Sequence, residues 1–268
     1  MPKAETITSA ANPLLKDVRR AVVRGGLTEQ GWCVAESFHL LEEALRSECV
    51  VRMVLAADSV RSAAEAHVRR LAGVKVVVLP DGLMQSISGT EASQGVMALV
   101  QPPEWRLEQL FRGNALVVVL DGLQDPGNAG AIVRVAEAFG ATGALFLKGT
   151  VSPFNAKTLR ASAGSLFRVP YLHGVDATLA RAALQQNKVA LYAAVPAVSG
   201  ARVRALGDVD LTAKCGLIIG NEARGVSSDL RSAALDLSIP TVGVESLNAA
   251  VAAGIILYEA RRQRARKT

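Results

Sequence analysis

The sequence predicts an α/β protein in two parts: a compact N-terminal unit over residues 1–103 and a larger parallel-sheet unit over residues 104–268. Three observations lead there. From Leu107 onward, short runs that are apolar at every position alternate with helix-length segments, the pattern of strands covered on both faces of a parallel sheet. The tandem prolines of Gln101-Pro102-Pro103 can continue neither a strand nor a helix, which sets the boundary. Three polar clusters each follow an apolar run, and ligands of parallel sheets bind at the carboxyl ends of strands.

In the N-terminal part, Ser37 to Arg46 reads as an amphipathic helix with Phe38, Leu41 and Leu45 on one face. Val50 to Ala56 reads as a strand, Ser62 to Ala72 as a helix, Val74 to Leu79 as a strand, Leu83 to Ser88 as a short helix and Gly95 to Val100 as a strand. After the prolines, Leu116 to Leu120 is a wholly apolar strand, and Ala129 to Phe139 is a helix closed by Gly140. Ala144 to Lys148 is a strand, Ala156 to Ala163 is helical, Asp176 caps a helix through Gln186, and Val189 to Ala194 is a strand. Gly216 to Ile219, Ser228 to Ala234, Leu237 to Ile239 and Leu247 to Arg262 complete the series as strand, helix, strand and helix.

Half of the 268 residues are apolar, enough for a sizeable core, and only 4% are aromatic, so Ala and Val carry it. No stretch reaches the roughly 18 apolar residues that span a bilayer. Residues Met1 to Ala10 lack the apolar core of a secretory signal. Cys33, Cys49 and Cys215 are odd in number and show no ligand spacing, which reads as free thiols in a reducing cytoplasm. His39, His67 and His173 are equally scattered, so no metal site is expected. The net charge of +6 admits a polyanionic partner. Its clustering is more telling: Lys16, Arg19, Arg20 and Arg24 share one short segment, and Arg261, Arg262, Arg264, Arg266 and Lys267 crowd the C-terminus. Both clusters are also what a solvated helix face and a basic tail would show.

The polar clusters carry the chemistry. Asp125 to Arg134 follows the run Ala115 to Leu120, Gly220 to Gly225 follows Gly216 to Ile219, and Ser246-Leu247-Asn248 follows Leu235 to Val244. Gly220 and Gly225 have P-loop spacing, but Val226-Ser227 stands where phosphate binding needs Lys-Ser/Thr. Neither Gly127-Asn128-Ala129-Gly130 nor Gly140-Ala141-Thr142-Gly143 completes a dinucleotide fingerprint. Asn128 is placed to cap the helix that follows it. Arg134, between apolar neighbours, is either a surface ion pair with Glu137 or another carboxylate, or a functional charge. Glu222 can cap the next helix or pair with an arginine. Ser246 can cap the last helix, which leaves Asn248 in its first turn, where helix formation does not require it.

Taken in order and spacing, Asp125-Pro126-Gly127-Asn128 through Arg134, then Ile219-Gly220-Asn221-Glu222 through Gly225, then Ile239-Pro240 followed by Ser246-Leu247-Asn248, resemble the three motifs of the SPOUT-class, TrmH/SpoU-type RNA ribose 2′-O-methyltransferases. The resemblance covers Ala115 to Arg262. Ala35-Glu36-Ser37 and Ser93 to Ala98 resemble, more loosely, the family's small RNA-substrate-binding domain. Thr241 and Ala249 stand where the family commonly has Met and Val, which bears on the shape of the cofactor pocket.

The resemblance implies a C-terminal trefoil knot, a homodimer with sites at the interface, and S-adenosylmethionine as cofactor. The cofactor would lie against Ala194, Val195, Gly220, Asn221, Glu222, Ile239, Pro240, Leu247, Asn248 and Ala249. Arg134, Asn128, Glu222, Ser246 and Asn248 would form the catalytic group. A guanidinium with a pKa above about 12 is a poor base, so Arg134 is expected to hold phosphate and stabilise oxyanion charge, oriented by Glu222. Lys16, Arg19, Arg20 and Arg24, with Arg134, would contact RNA. A 23S ribosomal RNA is the expected substrate. A transfer RNA substrate, or a non-catalytic ribosome-assembly protein that keeps the fold, are the alternatives.

Overall fold

The computed structural model describes residues 5–69, 71, 73–196 and 203–266. Ala72 of the expected second helix and Lys267 of the basic tail lie outside the described residues. Two compact units emerge: residues 1–104 with 154–168, and residues 105–153 with 169–268.

The first unit contains β1 (Glu5–Thr6), α1 (Pro13–Arg24), β2 (Cys33–Glu36), α2 (Phe38–Leu45), β3 (Val50–Ala57), α3 (Arg61–Val68), β4 (Lys75–Leu79), α4 (Asp81–Ile87) and β5 (Val96–Gln101). Its sheet runs β1-β4-β3-β5-β2, with β1, β4 and β3 mutually parallel and β5 antiparallel to both β3 and β2. The Lys16–Arg24 cluster falls on α1, which sequence pattern alone did not assign. Asn12 caps it by accepting from the Leu14 N–H at 2.9 Å, Pro13 opens it, and Gly25 closes it at φ 63°. Leu15, Val18 and Ala21 are buried against the sheet, while Lys16, Arg19, Arg20 and Arg24 are exposed. Ser37 caps α2 through the Leu40 N–H at 3.1 Å.

The second unit begins with α5 (Leu107–Leu110), β6 (Leu116–Asp121), α6 (Pro126–Ala138) and β7 (Gly143–Leu147). The chain then enters α7 (Ala156–Ser162), which belongs to the first unit and packs on β2. There Arg160 reaches Glu36, only 2% exposed, at 2.9 Å, and Arg168 pairs with Glu43. The second unit resumes with β8 (Tyr171–Val175), α8 (Ala177–Gln186), β9 (Ala190–Ala194), β10 (Val203–Ala205), β11 (Cys215–Gly220), α9 (Ser228–Arg231), β12 (Leu235–Ser238) and α10 (Ala249–Ala265).

Its seven strands are all parallel, in the order β10-β12-β9-β11-β6-β7-β8. β11 is the central strand, and its neighbour β6 is buried at every position, as its unbroken apolar run requires. Register decides where the site lies. Asp121 at the end of β6 sits opposite Gly220 at the end of β11, and Ala194 of β9 sits opposite Leu237 of β12. The carboxyl ends of four adjacent strands therefore face one region, and the loops after three of them, β6, β11 and β12, are the three polar clusters. Helix α10 packs on α6, with Tyr258 edge-on to Phe139 at 5.7 Å.

One apolar run does not become a strand to its end. β12 stops at Ser238, and Val242 is fully exposed. Pro240 lacks the N–H a ladder needs and Gly243 takes φ 79°, so the chain loops from Ile239 to Leu247. The basic C-terminus is likewise not a free tail. Arg264 donates to the carbonyls of Leu211, Asn114, Ala115 and Ala213 and to Cys215 Sγ, and Arg262 is held by Glu259 at 2.6 Å. All three cysteines are free thiols, with Cys49 half-buried. Among the described residues no helix is long and apolar enough to cross a membrane, and no cluster could hold a metal ion.

Candidate active site

The loop after β11 is a tight turn built by its own residues. Asn221 and Gly225 exchange backbone hydrogen bonds at 3.0 and 2.8 Å, and Asn221 Oδ1 accepts from the N–H groups of Ala223 and Arg224 at 3.0 Å each. A Cβ on Gly220 would stand 2.3 Å from the Gly225 carbonyl carbon, so only glycine allows the turn to close. Asn221 Nδ2 donates to the Gly122 carbonyl at 2.8 Å, and the Asp121 carboxylate accepts the Ser227 N–H at 2.7 Å. The loops after β6 and β11 are thus fastened together at both margins.

Asn128 does not cap α6. Asp125 does, accepting the Asn128 N–H at 2.8 Å, with Pro126 at the first helical position. The Asn128 side chain is thereby free for other partners. Its Nδ2 donates to Glu222 Oε1 at 3.2 Å, and its Oδ1 accepts from Asn248 Nδ2 at 2.9 Å. Asn248, and not Ser246, caps α10: its Oδ1 accepts the Ala250 and Val251 N–H groups at 2.9 and 3.2 Å. This fixes every amide orientation in the chain. The helix end requires Oδ1 of Asn248, so its Nδ2 faces Asn128. Asn128 must then offer Oδ1 to it and Nδ2 to a carboxylate that can only accept.

Glu222 caps no helix. Its second oxygen accepts the Gln124 N–H at 3.5 Å, and it makes no hydrogen bond to Arg134. Arg134 is exposed on α6 and, among the described residues, makes no hydrogen bond or ion pair. The expected Arg134–Glu222 contact is absent within one chain because Glu222 is already held by Asn128 and the Gln124 amide.

A cleft of about 740 Å³ opens over these loops, within the range of small-molecule sites. Of the residues expected around a cofactor, Ala194, Val195, Gly220, Asn221, Glu222, Ile239, Leu247, Asn248 and Ala249 line it, joined by Asn128 and Ser246. Pro240 and Arg134 are not among its lining residues. Sequence reasoning missed Val203, Val226, Arg231, Leu237, Ala252 and Ile256, which line it too. Arg231 is gripped in a bidentate pair by Asp236, at 3.0 and 2.7 Å. The missed cap at Asp125 had a readable signal, an Asp directly before a Pro. The wall from α10 had none, because that wall depends on α10 packing against α6.

Comparison with known proteins gives the same reading. The model of the SpoU rRNA Methylase family matches residues 115–258. The chain belongs to the SpoU rRNA methylase family. Residues 12–98 match a second description, the MRM3-like substrate binding domain. Among family members, the chain is 31% identical to the 23S rRNA (guanosine(2553)-2′-O)-methyltransferase RlmP of Bacillus subtilis, over 95% of this chain and 98% of that one. Among solved SpoU-type structures, AviRb from Streptomyces viridochromogenes superposes with a TM-score of 0.83 at 27% identity, covering 96% of this chain and 99% of AviRb. An AdoMet-bound rRNA methyltransferase from Sinorhizobium meliloti gives 0.81 at 27% identity, covering 97% and 98%.

Proposed function

We propose that this SpoU family member transfers the methyl group of S-adenosylmethionine to a ribose 2′-hydroxyl of 23S ribosomal RNA. One observation carries the reading: the Glu222–Asn128–Asn248 chain joins three motifs on the wall of one cleft. A purely structural fold would have no need to bring these polar side chains together there. The extent of likeness to RlmP favours 23S ribosomal RNA over transfer RNA.

The cleft's chemistry suits S-adenosylmethionine. Ile219, Ile239 and Leu247 offer apolar surface that would exclude water, and the loop backbones at Val195, Ile239 and Leu247 would meet the adenine edge. Ala194, Gly220, Asn221, Glu222, Asn248 and Ala249 complete our assignment of the cofactor site, without Pro240, which does not line the cleft. When bound, S-adenosylmethionine supplies a methyl group already activated by its sulfonium. The protein's residues do the rest. Asn128, held by Glu222 and Asn248, positions the ribose together with Ser246. Arg134 grips a flanking phosphate and stabilises charge developing on the 2′-oxygen. A guanidinium has no acceptor atom for a proton, so a phosphate oxygen or water takes the proton from the 2′-hydroxyl.

The same reading includes a homodimer, a knotted C-terminal unit, a division of the chain near residue 103 and a cytoplasmic setting. Two features support the dimer. Val251, Ile255 and Tyr258, 51%, 38% and 55% exposed, form an apolar stripe along α10. Arg134 is not among the lining of its own chain's cleft, as a site completed by a second copy would require. The test is mass mapping of ribose methylation in RNA from a deletion strain. One 2′-O-methyl group should vanish from 23S ribosomal RNA and return when that RNA is treated with purified protein and S-adenosylmethionine. A protein that binds the cofactor and methylates no RNA would be an assembly factor instead.

A further inference from the structure

The N-terminal unit holds a second cleft, of about 440 Å³, at the carboxyl ends of the adjacent parallel strands β3 and β4. Ala57, Val60 and Met84 give it an apolar lining, and Asp81, Gln85 and Gln94 give it polar groups. Their hydrogen-bonding capacity is only partly used. Asp81 Oδ1 accepts from the Ser59 hydroxyl, and among the described residues Oδ2 has no partner. Gln94 Oε1 accepts the Phe38 N–H at 2.9 Å, which leaves its Nε2 as a donor. Gln85 directs Nε2 to the carbonyls of Thr90 and Glu91 at 3.5 and 3.3 Å, which leaves its Oε1 as an acceptor. The partner of Gln94 follows a strained residue: Ser37 is held at φ 145°, a conformation that favours glycine. Such strain persists only where its surroundings over-determine it, often at binding sites.

The cleft adjoins the basic stripe. Arg19 of α1 donates to Ser86 Oγ at 3.0 Å, on the residue next to Gln85, and α1 packs on α4. A phosphodiester chain following Lys16, Arg19 and Arg24 would pass beside it. The Asp81 carboxylate repels phosphate, so a backbone phosphate is not the occupant. An acceptor-only group beside apolar surface instead suits a base that offers adjacent N–H donors. Guanine offers them, at N1 and N2 of its Watson–Crick edge, the edge read when a base is unstacked from its strand.

We propose that this cleft takes an unstacked guanine of the RNA substrate, with Asp81 accepting from its N1 and N2 hydrogens. The inference rests on the RNA reading above. It adds a base-reading site within the N-terminal unit, built from residues that take no part in the cofactor cleft.

The test uses the full chain and labelled single-stranded RNA dodecamers: all-uridine, or uridine with one central guanosine or one inosine, which lacks the N2 amino group. The guanosine strand should bind about tenfold more tightly than all-uridine, the scale of one good bidentate base contact, with inosine between them. Asp81→Asn should bring the three strands to about the same affinity, and Gln85→Ala should weaken guanosine selectively. Wild-type affinity for the all-uridine strand reports that the N-terminal unit of both variants is folded. Equal affinity of the wild type for all three strands, or a guanosine preference that survives Asp81→Asn, would overturn the assignment. A preference that depends on Asp81 in a protein that methylates no RNA would uphold the cleft and sink the methyltransferase reading. Methyl transfer without any such preference would do the reverse.

Discussion

Asn128 donates its side-chain amide to the Glu222 carboxylate at 3.2 Å across 94 residues of sequence, which makes the first and second motifs one unit. The two residues should therefore act together. Asn128→Ala and Glu222→Gln should each lower methyl transfer by about 10²-fold, the scale of a small misplacement at a reacting centre. The double variant should lose much less than the product of the two, since each single change already breaks the unit. Effects that simply multiply in single-turnover assays would mean the two side chains work independently.

Among the described residues the Arg134 guanidinium has no partner, which suits it to meet RNA. Arg134→Ala should leave the melting temperature and cofactor affinity unchanged and lower turnover by roughly 10²–10³. Arg134→Lys should recover little, because an ammonium lacks the planar fork that grips phosphate. In a dimer with shared sites, mixing Arg134→Ala with Glu222→Gln should regenerate one intact site in each mixed dimer. That is about a quarter of wild-type activity at random assortment. Mixtures as inactive as their parents would place Arg134 and Glu222 in the same subunit's site.

The parallel sheet and the gathering of its strand ends were legible because β6, β9 and β11 are apolar without interruption and helices alternate with them. The strand β8 was not, since Tyr171-Leu172-His173-Gly174-Val175 has a polar residue and a glycine and lies at the sheet edge. Nor was β10, three residues long at the opposite edge. The motif positions were legible and their local roles were not. Capping is decided by which side-chain oxygen reaches free N–H groups, so Asp125 displaced Asn128 and Asn248 displaced Ser246. The segment 154–168 gave no sign that it packs within the first unit, because its anchors, Glu36 and Glu43, lie more than a hundred residues upstream.

Arg264 belongs to the basic C-terminal cluster, yet its guanidinium donates to the carbonyls of Leu211, Asn114, Ala115 and Ala213. Arg264→Met should destabilise the protein by about 2–3 kcal/mol in urea unfolding, since a charged donor is lost and several carbonyls lose their partner. Arg261→Ala, an exposed neighbour, should change stability by less than about 0.5 kcal/mol. Equal effects of the two would remove the anchoring role.

Glu259 links stability to pH. The hydrogen bond from Arg262, then that from Gln263, holds its carboxyl at about 2, below the ordinary value of 4.5. A depressed folded-state pKa stabilises above the unfolded value and loses that stabilisation as pH falls. Glu259→Gln should therefore lower stability at pH 7 by up to about 1 kcal/mol, the scale of a surface ion pair. The gap from wild type should narrow below about pH 4.5 and close near pH 2. A gap that stays constant over that range would assign the effect of Gln to packing.

The basic face of α1 should govern how RNA affinity depends on salt, and its four cations should not contribute equally. Each phosphate contact releases condensed counterions, so each lost contact lowers the slope of log affinity against log salt by about 0.7–0.9. Replacing Lys16, Arg19 and Arg24 together by Ala should flatten the slope by about 2–3 and leave cofactor affinity untouched. Arg20 is different: its guanidinium holds Glu29 at 2.7 Å, so a phosphate would have to compete with a carboxylate already in place. Arg20→Ala should therefore change the slope by less than any of the other three, and Glu29→Gln should steepen it by freeing Arg20. A salt slope unmoved by the triple replacement would take α1 off the RNA path and leave its charges as a solvated helix face.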